Sequence, residues 1–248
     1  MITPDFALVC LSRQRPDTLV YQTKRFFPSA TVCVAESERD AYLMSSPNAD
    51  LLLHPDAVVG IAAVRQWILD HVDSRVVFMV PDDIQCAYAL GGTYAKRISN
   101  PDELLSLLRN TAECADAAGA KLCGYNVAWD VRKFNTFEPF SLDKWTDGPM
   151  GVLDRAIRFD QKLQLHPDLD FALQHLQKHR IIWRDNRFAF SHDRWKQQGG
   201  NSSLRSDAAH QREFAHIQQK WGAHFTVEWA KGTFISRLHV TRRDSGAA

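Results

Sequence analysis

Short apolar runs alternate with helix-periodic segments through the first half of the chain, and this alternation restricts the fold more than any other feature. Phe6 to Leu11 is a short apolar run, broken at once by Ser12-Arg13-Gln14-Arg15-Pro16. Thr31 to Ala35 (TVCVA) and Asp50 to His54 are two further runs. Ile61, Val64, Trp67 and Ile68 then recur at helical spacing behind Gly60. Arg75 to Val80 (RVVFMV) reads as a buried strand and stops at Pro81-Asp82-Asp83. Strands without a polar face need cover on both sides, and the intervening helices supply it. The pattern predicts an α/β fold with a mainly parallel central sheet flanked by helices.

The next helix is signalled at both ends. Asn100 is placed as N-cap, Pro101 at the first helical position and Glu103 to close a capping box. Leu104, Leu108, Ala112 and Ala115 form its apolar stripe, and Gly119 stands where it should stop. Lys121 to Val127 reads as another strand. Residues 128–150, rich in aromatics, Asp, Gly and Pro, predict strands joined by loops. His166-Pro167-Asp168 opens a helix with Leu169, Ala172, Leu173 and Leu176 on one face. Ile181 to Phe190 predicts a hairpin turning at Asp185-Asn186. Residues 191–206 form a polar loop, and a last long helix carries His210, Phe214, Ile217 and Trp221 up to Gly222. Nothing forces a domain cut, so one unit is expected over residues 6–240, with halves at about 6–127 and 128–240 and a tail at 241–248.

Composition excludes several classes. The chain has 248 residues, 45% hydrophobic and 24% charged, which fits a folded protein with a substantial core and not a disordered or fibrous one. No run of about 20 apolar residues occurs, and Met1-Ile2-Thr3-Pro4-Asp5 lacks the basic start of a signal peptide. A cytoplasmic protein with no membrane partner is expected. The five cysteines, at 10, 33, 86, 114 and 123, form no CxxC and read as reduced thiols, most of them buried. A net charge of +1 neither demands nor forbids a nucleic-acid partner, because binding needs a local basic surface.

Several local patterns carry chemistry. Asp82 and Asp83 follow a buried strand, where ligands of open α/β sheets gather. Adjacent anions repel, and a divalent cation relieves that repulsion; oxygen ligands suit Mg2+ or Mn2+, and those ions suit a diphosphate. The same pair also reads as a solvated turn in which Asp82 caps the next segment. Arg13 and Arg15 form a basic turn after the first strand, fit for phosphate oxygens or for plain solvent exposure. Glu36, past the second strand, could accept from a base or ribose. Asp168 and Asp170 open a helix, either as ordinary N-terminal acids or as a general base. Gly199-Gly200-Asn201-Ser202-Ser203-Leu204-Arg205 combines backbone freedom with donors, yet also reads as a connector. Between 183 and 205, Trp183, Arg184, Arg187, Phe188, Arg194, Trp195, Lys196 and Arg205 interleave bases with aromatics. Such a mixture can hold phosphates and stack on an extruded base, or pack as an amphipathic hairpin.

The order of these pieces resembles the nucleotide-diphospho-sugar glycosyltransferases of the GT-A fold. Within that class it is most similar to the phage DNA glycosyltransferases found beside TET-type 5-methylpyrimidine oxygenases, related to the base-J glucosyltransferases. The resemblance runs through SRQRP, Gly60-Ile61, Arg65-Gln66-Trp67-Ile68-Leu69-Asp70, VPDDI, Asp168-Leu169-Asp170, GGNSSLR and Gln219-Lys220-Trp221-Gly222, most of residues 6–222. It implies a GT-A type nucleotide-diphospho-sugar transferase. Ser12, Arg13, Arg15, Glu36, Arg65, Asp82, Gly200 and Asn201 would bind a nucleotide sugar, of which a UDP-sugar is the first expectation. Asp83 and His192 would hold Mn2+ or Mg2+, and Asp168 or Asp170 would face the acceptor. Arg184, Arg187, Arg194, Lys196 and Arg205 would contact DNA. The implied reaction moves a sugar to a 5-hydroxymethylpyrimidine, such as 5-hydroxymethylcytosine, in bacteriophage DNA, within the host bacterial cytoplasm, by a monomer or weak dimer. A non-DNA acceptor, or a silent binding module on the same fold, stands as the alternative. The chain departs from the family pattern at Pro81, where the first of three acidic residues is usual, and at Pro167-Asp168, where Glu-Asp is usual.

Overall fold

A computed structural model of the chain describes residues 5–127, 130–192, 204–230 and 233–240. β1 (Phe6–Leu11) leads through the basic turn into α1 (Pro16–Tyr21) and α2 (Thr23–Phe26). β2 (Thr31–Ala35), α3 (Arg39–Ser45), β3 (Leu51–His54) and α4 (Ile61–His71) follow. β4 (Val76–Pro81) and β5 (Ile84–Ala89) are joined by Asp82 and Asp83 alone. Next come β6 (Lys96–Ile98), α5 (Pro101–Ala117), β7 (Leu122–Asn126), β8 (Phe140–Ser141) and β9 (Asp147–Val152). The chain ends with α6 (Pro167–His179), β10 (Trp183–His192), α7 (Asp207–Trp221), β11 (Phe225–Ala230) and β12 (Thr233–Leu238).

Among the described residues ten strands form one mixed sheet, in the order β3-β2-β1-β4-β9-β7-β10-β5-β6, with β8 beside β10. β3, β2, β1 and β4 run parallel, as do β7 and β10. β11 and β12 make a separate antiparallel hairpin. The sheet is buried on both faces because its apolar side chains alternate. Leu8, Val32, Val34, Val76, Phe78 and Val80 pack with Leu104, Leu108, Ala112 and Ala115 of α5. The intervening Val9, Leu11, Cys33, Val77 and Met79 pack on the other side with α4 and with Phe171, Ala172 and Leu176 of α6. This is the period-2 geometry of a strand with helices on each face. The α5 start follows its sequence signals: Asn100 Oδ1 accepts from the amides of Asp102 (2.8 Å) and Glu103 (3.1 Å). Among the described residues no helix is long and apolar enough to cross a membrane.

Gly151 lets β9 sit between β4 and β7. It pairs in register with Phe78 and Cys123. A Cβ there would lie 2.6 Å from Cys123 Sγ and 2.7 Å from Phe78 Cζ. Gly151→Ala is expected to cost about 1–3 kcal/mol through overpacking, read as a lower urea midpoint. An unchanged midpoint would show that the Phe78 ring has room to withdraw.

The second half departs from expectation at one element. The segment predicted as a hairpin is a single strand, β10, running straight through Asp185 and Asn186. Both residues are buried. The turn tendency of Asp and Asn is overridden because their polar atoms are satisfied inside the sheet. Asp185 Oδ1 accepts from the Arg187 amide (3.0 Å), and Asn186 Nδ2 donates to the Glu138 carbonyl (3.0 Å). The straight strand carries His192 to the far end of the sheet.

Candidate active site

A cavity of about 440 Å³ opens at the carboxyl ends of β1, β2, β3 and β4, the usual ligand position in an open α/β sheet. Ser12, Arg13 and Arg15 line it from the β1 turn, Asp82 and Asp83 from the β4 end, and Gly60 and Arg65 from α4. Asp168, His192 and Arg205 complete the far wall. These residues are scattered over the sequence, and the sheet gathers them.

One hydrogen-bonded relay fixes the β1 turn against the carboxylates. Ser12 Oγ donates to Asp82 Oδ2 (2.7 Å). The Ser12 hydroxyl has one proton, so the Tyr42 hydroxyl 2.6 Å away must donate to it. The same Tyr42 oxygen accepts from the Arg15 amide (3.2 Å). Arg15 Nη1 donates to Asp82 Oδ1 (3.2 Å) and lies 3.9 Å from Asp83 Oδ2. Burial pushes the Asp82 carboxyl up to about 6, and the Asp83 charge adds to it, against the pull of Ser12 and Arg15. Tyr42→Phe would leave the Arg15 amide and the Ser12 oxygen short of a partner. We expect a loss of about 1–3 kcal/mol in urea unfolding and about tenfold in turnover, since the turn is no longer pinned. Full turnover in the variant would show that Ser12 and Arg15 hold their places without it.

Asp83 and His192 meet at the other end of this wall. His192 Nδ1 is 3.5 Å from Asp83 Oδ1 and has no hydrogen-bond partner among the described residues, although it is buried. A register shift against β5 between Ser191 and His192 aims the imidazole here. The glycine conformation at Gly148 (φ +77°) leaves space beside the ring, since a Cβ there would lie 3.3 Å from Nε2. Carboxylate oxygen and imidazole nitrogen are suitable donors for Mn2+. Among the described residues no group of three or more His, Cys, Asp or Glu is poised for a metal. The chain therefore offers two donors, which fits a cation completed by water and phosphate oxygens.

On the opposite wall, Arg65 and Asp168 offset each other. Arg65 Nε and Nη1 are buried and have no hydrogen-bond partner among the described residues. Burial lowers the Arg65 pKa and raises that of Asp168, and the charge of each opposes the shift of the other. Asp170, two positions on, lies on a different helix face and outside the cavity lining. It is fully buried, with Oδ1 accepting from Trp221 Nε1 (2.7 Å) and Lys220 Nζ (2.8 Å), and Oδ2 from Gln174 Nε2 (2.8 Å). Its carboxylate ties α6 to α7. Glu213 of α7 fastens the same wall, accepting from the backbone amides of Gln164 (2.7 Å), Leu165 (3.0 Å) and His166 (2.9 Å).

The remaining predicted residues divide as follows. Arg205 reaches the cavity near Asp83, whose charge opposes the effect of its burial. Glu36 is exposed and outside the lining, while its neighbours Ser37 and Glu38 are in it. Arg184 is buried, with Nε on Asn186 (2.9 Å) and Nη1 on the Trp145 carbonyl (3.2 Å). Arg187 is clamped two-pronged to Asp185 (3.0 and 2.7 Å). Neither of these arginines lines the cavity. Arg194, Lys196, Gly200 and Asn201 lie outside the described residues. The sequence reading missed Tyr42, Glu38 and Asp56. Asp56 follows the β3 end and accepts from Ser37 N (3.1 Å) and Oγ (2.7 Å), so the strand-end rule that found Asp83 could have found it. Tyr42 sits 30 residues from its partner Ser12 and has no local signal.

Comparison with known proteins agrees with this geometry. No curated protein matches the chain. Among solved structures, S. aureus TarS 1-349 in complex with UDP-GlcNAc superposes with a TM-score of 0.55 at 12% identity, over 87% of this chain and 65% of that one. The chain thus spans less than two thirds of the TarS length. Glucosyl-3-phosphoglycerate synthase from Mycobacterium tuberculosis, with Mn2+, UDP and glucosyl-3-phosphoglycerate, gives 0.55 at 9% identity, over 95% and 87%. Mannosyltransferase PcManGT from Pyrobaculum calidifontis, with GDP-Man and Mn2+, gives 0.50 at 10% identity, over 75% and 57%. These likenesses establish a GT-A-like fold. The family model of the TET-Associated Glycosyltransferases matches residues 6–201. Sheet order, the strand-end carboxylates and that match converge, and the chain belongs to the TET-associated glycosyltransferase family.

Proposed function

We propose that the chain transfers a sugar from a nucleotide diphosphate to the hydroxymethyl group of a pyrimidine in DNA. The observation that carries the transferase part is the facing of two walls across one cavity: Asp83 with the unpartnered His192 nitrogen on one side, Asp168 with Arg65 on the other. Departure of a nucleoside diphosphate builds negative charge, and cations placed beforehand lower the barrier. Arg15, Arg65 and Arg205 supply that positive field from three directions. A divalent cation held by Asp83 and His192 would, when bound, neutralise the diphosphate oxygens. Asp168 is then the candidate base for the acceptor hydroxyl, because Asp170 is committed to α7. Support comes from the family membership, and from similar structures that hold UDP, GDP-Man, Mn2+ or Mg2+.

A second reading keeps the chemistry and changes the acceptor to a small hydroxyl compound. Its support is that Arg184 and Arg187, two of the expected DNA contacts, are tied up inside the fold. It is also supported by the similarity to a synthase of glucosyl-3-phosphoglycerate. The test is mass spectrometry after incubation with Mn2+ and a panel of nucleotide sugars. The acceptors are DNA carrying hydroxymethylcytosine, DNA carrying hydroxymethyluracil, and small hydroxyl compounds. A glycosyl mass increment on DNA supports the first reading, and one on small acceptors alone supports the second. If no nucleotide sugar is bound, hydrolysed or transferred, both readings fall.

A further inference from the structure

A second hollow, of about 350 Å³, lies beside the cavity. Leu165 lines both, and Leu204 lines the hollow while its neighbour Arg205 lines the cavity. One side of the hollow is a single face of α7: Ala209, Arg212, Glu213 and His216, at helical spacing. The other side is the segment before α6, with Lys162. Its charges do not cancel. Glu213, the one carboxylate in the lining, has both oxygens occupied by the three backbone amides at 164–166. His216 Nε2 is held by Asp160 Oδ2 at 3.0 Å. The exposed side chains of Lys162 and Arg212 make no ion pair or hydrogen bond among the described residues. Elsewhere, Lys178, Arg158 and Arg187 are each paired with an aspartate.

Two uncompensated cations over a hollow of ligand size, next to the wall that carries Asp168, suit an anion brought by the acceptor. We infer that this hollow holds a phosphate group of the acceptor, gripped by Lys162 and Arg212. The inference rests on the glycosyltransferase reading for the word acceptor, but the site itself can be tested without transfer. The phosphate can come from a nucleic-acid backbone or from a small phosphorylated molecule. Arg212 provides a planar fork and Lys162 a point charge, and phosphate oxygens accept both.

The test compares wild type with Lys162→Ala/Arg212→Ala, with melting temperatures to show that both are folded. Probes are a fluorescein-labelled single-stranded oligonucleotide, followed by anisotropy over a KCl series, and inorganic phosphate, followed by calorimetry. If the source is a strand, the double variant binds the oligonucleotide at least about tenfold more weakly. Its log–log salt slope is then shallower by roughly 1.4, at about 0.7 for each lost single-strand contact. If neither protein binds the oligonucleotide but inorganic phosphate saturates only the wild type, the hollow stands with a small phosphorylated acceptor as its source. The DNA reading then fails separately. Equal binding of both probes by the two proteins, or no binding of either probe, overturns the inference. A wild type that binds through Lys162 and Arg212 yet transfers no sugar leaves the hollow in place and removes the reading it was built beside.

Discussion

Asp83→Ala will abolish manganese-stimulated sugar transfer, lowering kcat/KM by about a thousandfold or more, and will barely change the melting temperature. The loss is large because this carboxylate sits where the leaving diphosphate must be neutralised; removing one pre-placed electrostatic partner of a developing anion typically costs about 10²–10³ in rate. The stability should hold because Asp83 and Asp82 are adjacent and buried, so their mutual repulsion already works against the fold. Arg15 keeps its contact with Asp82 in the variant. His192→Ala should raise the Mn2+ concentration needed for half-maximal activity while leaving nucleotide binding intact. The two variants together separate a metal role from a packing role, which would lower stability instead. Transfer by Asp83→Ala at the wild-type rate, with the same dependence on manganese, would remove the metal assignment.

Asp168→Asn will lower kcat by about 10²–10⁴, the usual yield of general-base assistance, with the donor KM little changed. The direction of the Asp168 shift adds a pH signature. Burial raises its pKa above the ordinary carboxylate value, so the ionised base is lost as pH falls through that raised value. The acid limb of the kcat profile should therefore lie above the usual carboxylate range and vanish in the variant. Arg65 opposes the shift, so Arg65→Ala should move the limb to still higher pH. Asp170→Asn gives the contrast. It weakens three hydrogen-bonded contacts in a fully buried setting, and its main effect should be a lower urea midpoint without a moved acid limb. A profile whose acid limb is the same in Asp168→Asn as in the wild type would exclude Asp168 as the base.

Much of the parallel half of the fold was legible because its signals are local. The runs at β1, β2 and β4 are apolar without interruption, and the α5 cap is written as Asn100-Pro101 with Gly119 beyond. The strand-end position of Asp82 and Asp83 was readable for the same reason. Three kinds of feature were hidden. Short helices α1 to α3 carry too few turns for periodicity to emerge. β10 contains turn-forming residues whose polar atoms are satisfied by Arg184, Arg187 and Glu138, partners that only the tertiary fold supplies. The commitments of Asp170, Arg184 and Arg187 could not be seen because a side chain's partner is not written next to it. Asp168 and Asp170 look equivalent in sequence, and only the helix phase and the position of Trp221 distinguish them.

The Glu213 clasp has an evolutionary consequence. The stretch shared with the family stops at residue 201, yet the segment presenting Asp168 is anchored by groups beyond it, Glu213 and Trp221. The sugar-activating machinery and the jaw that closes over the incoming hydroxyl are thus encoded in successive, separable stretches of gene. Exchanging the terminal stretch between relatives is a route to a new target molecule with the donor chemistry left untouched.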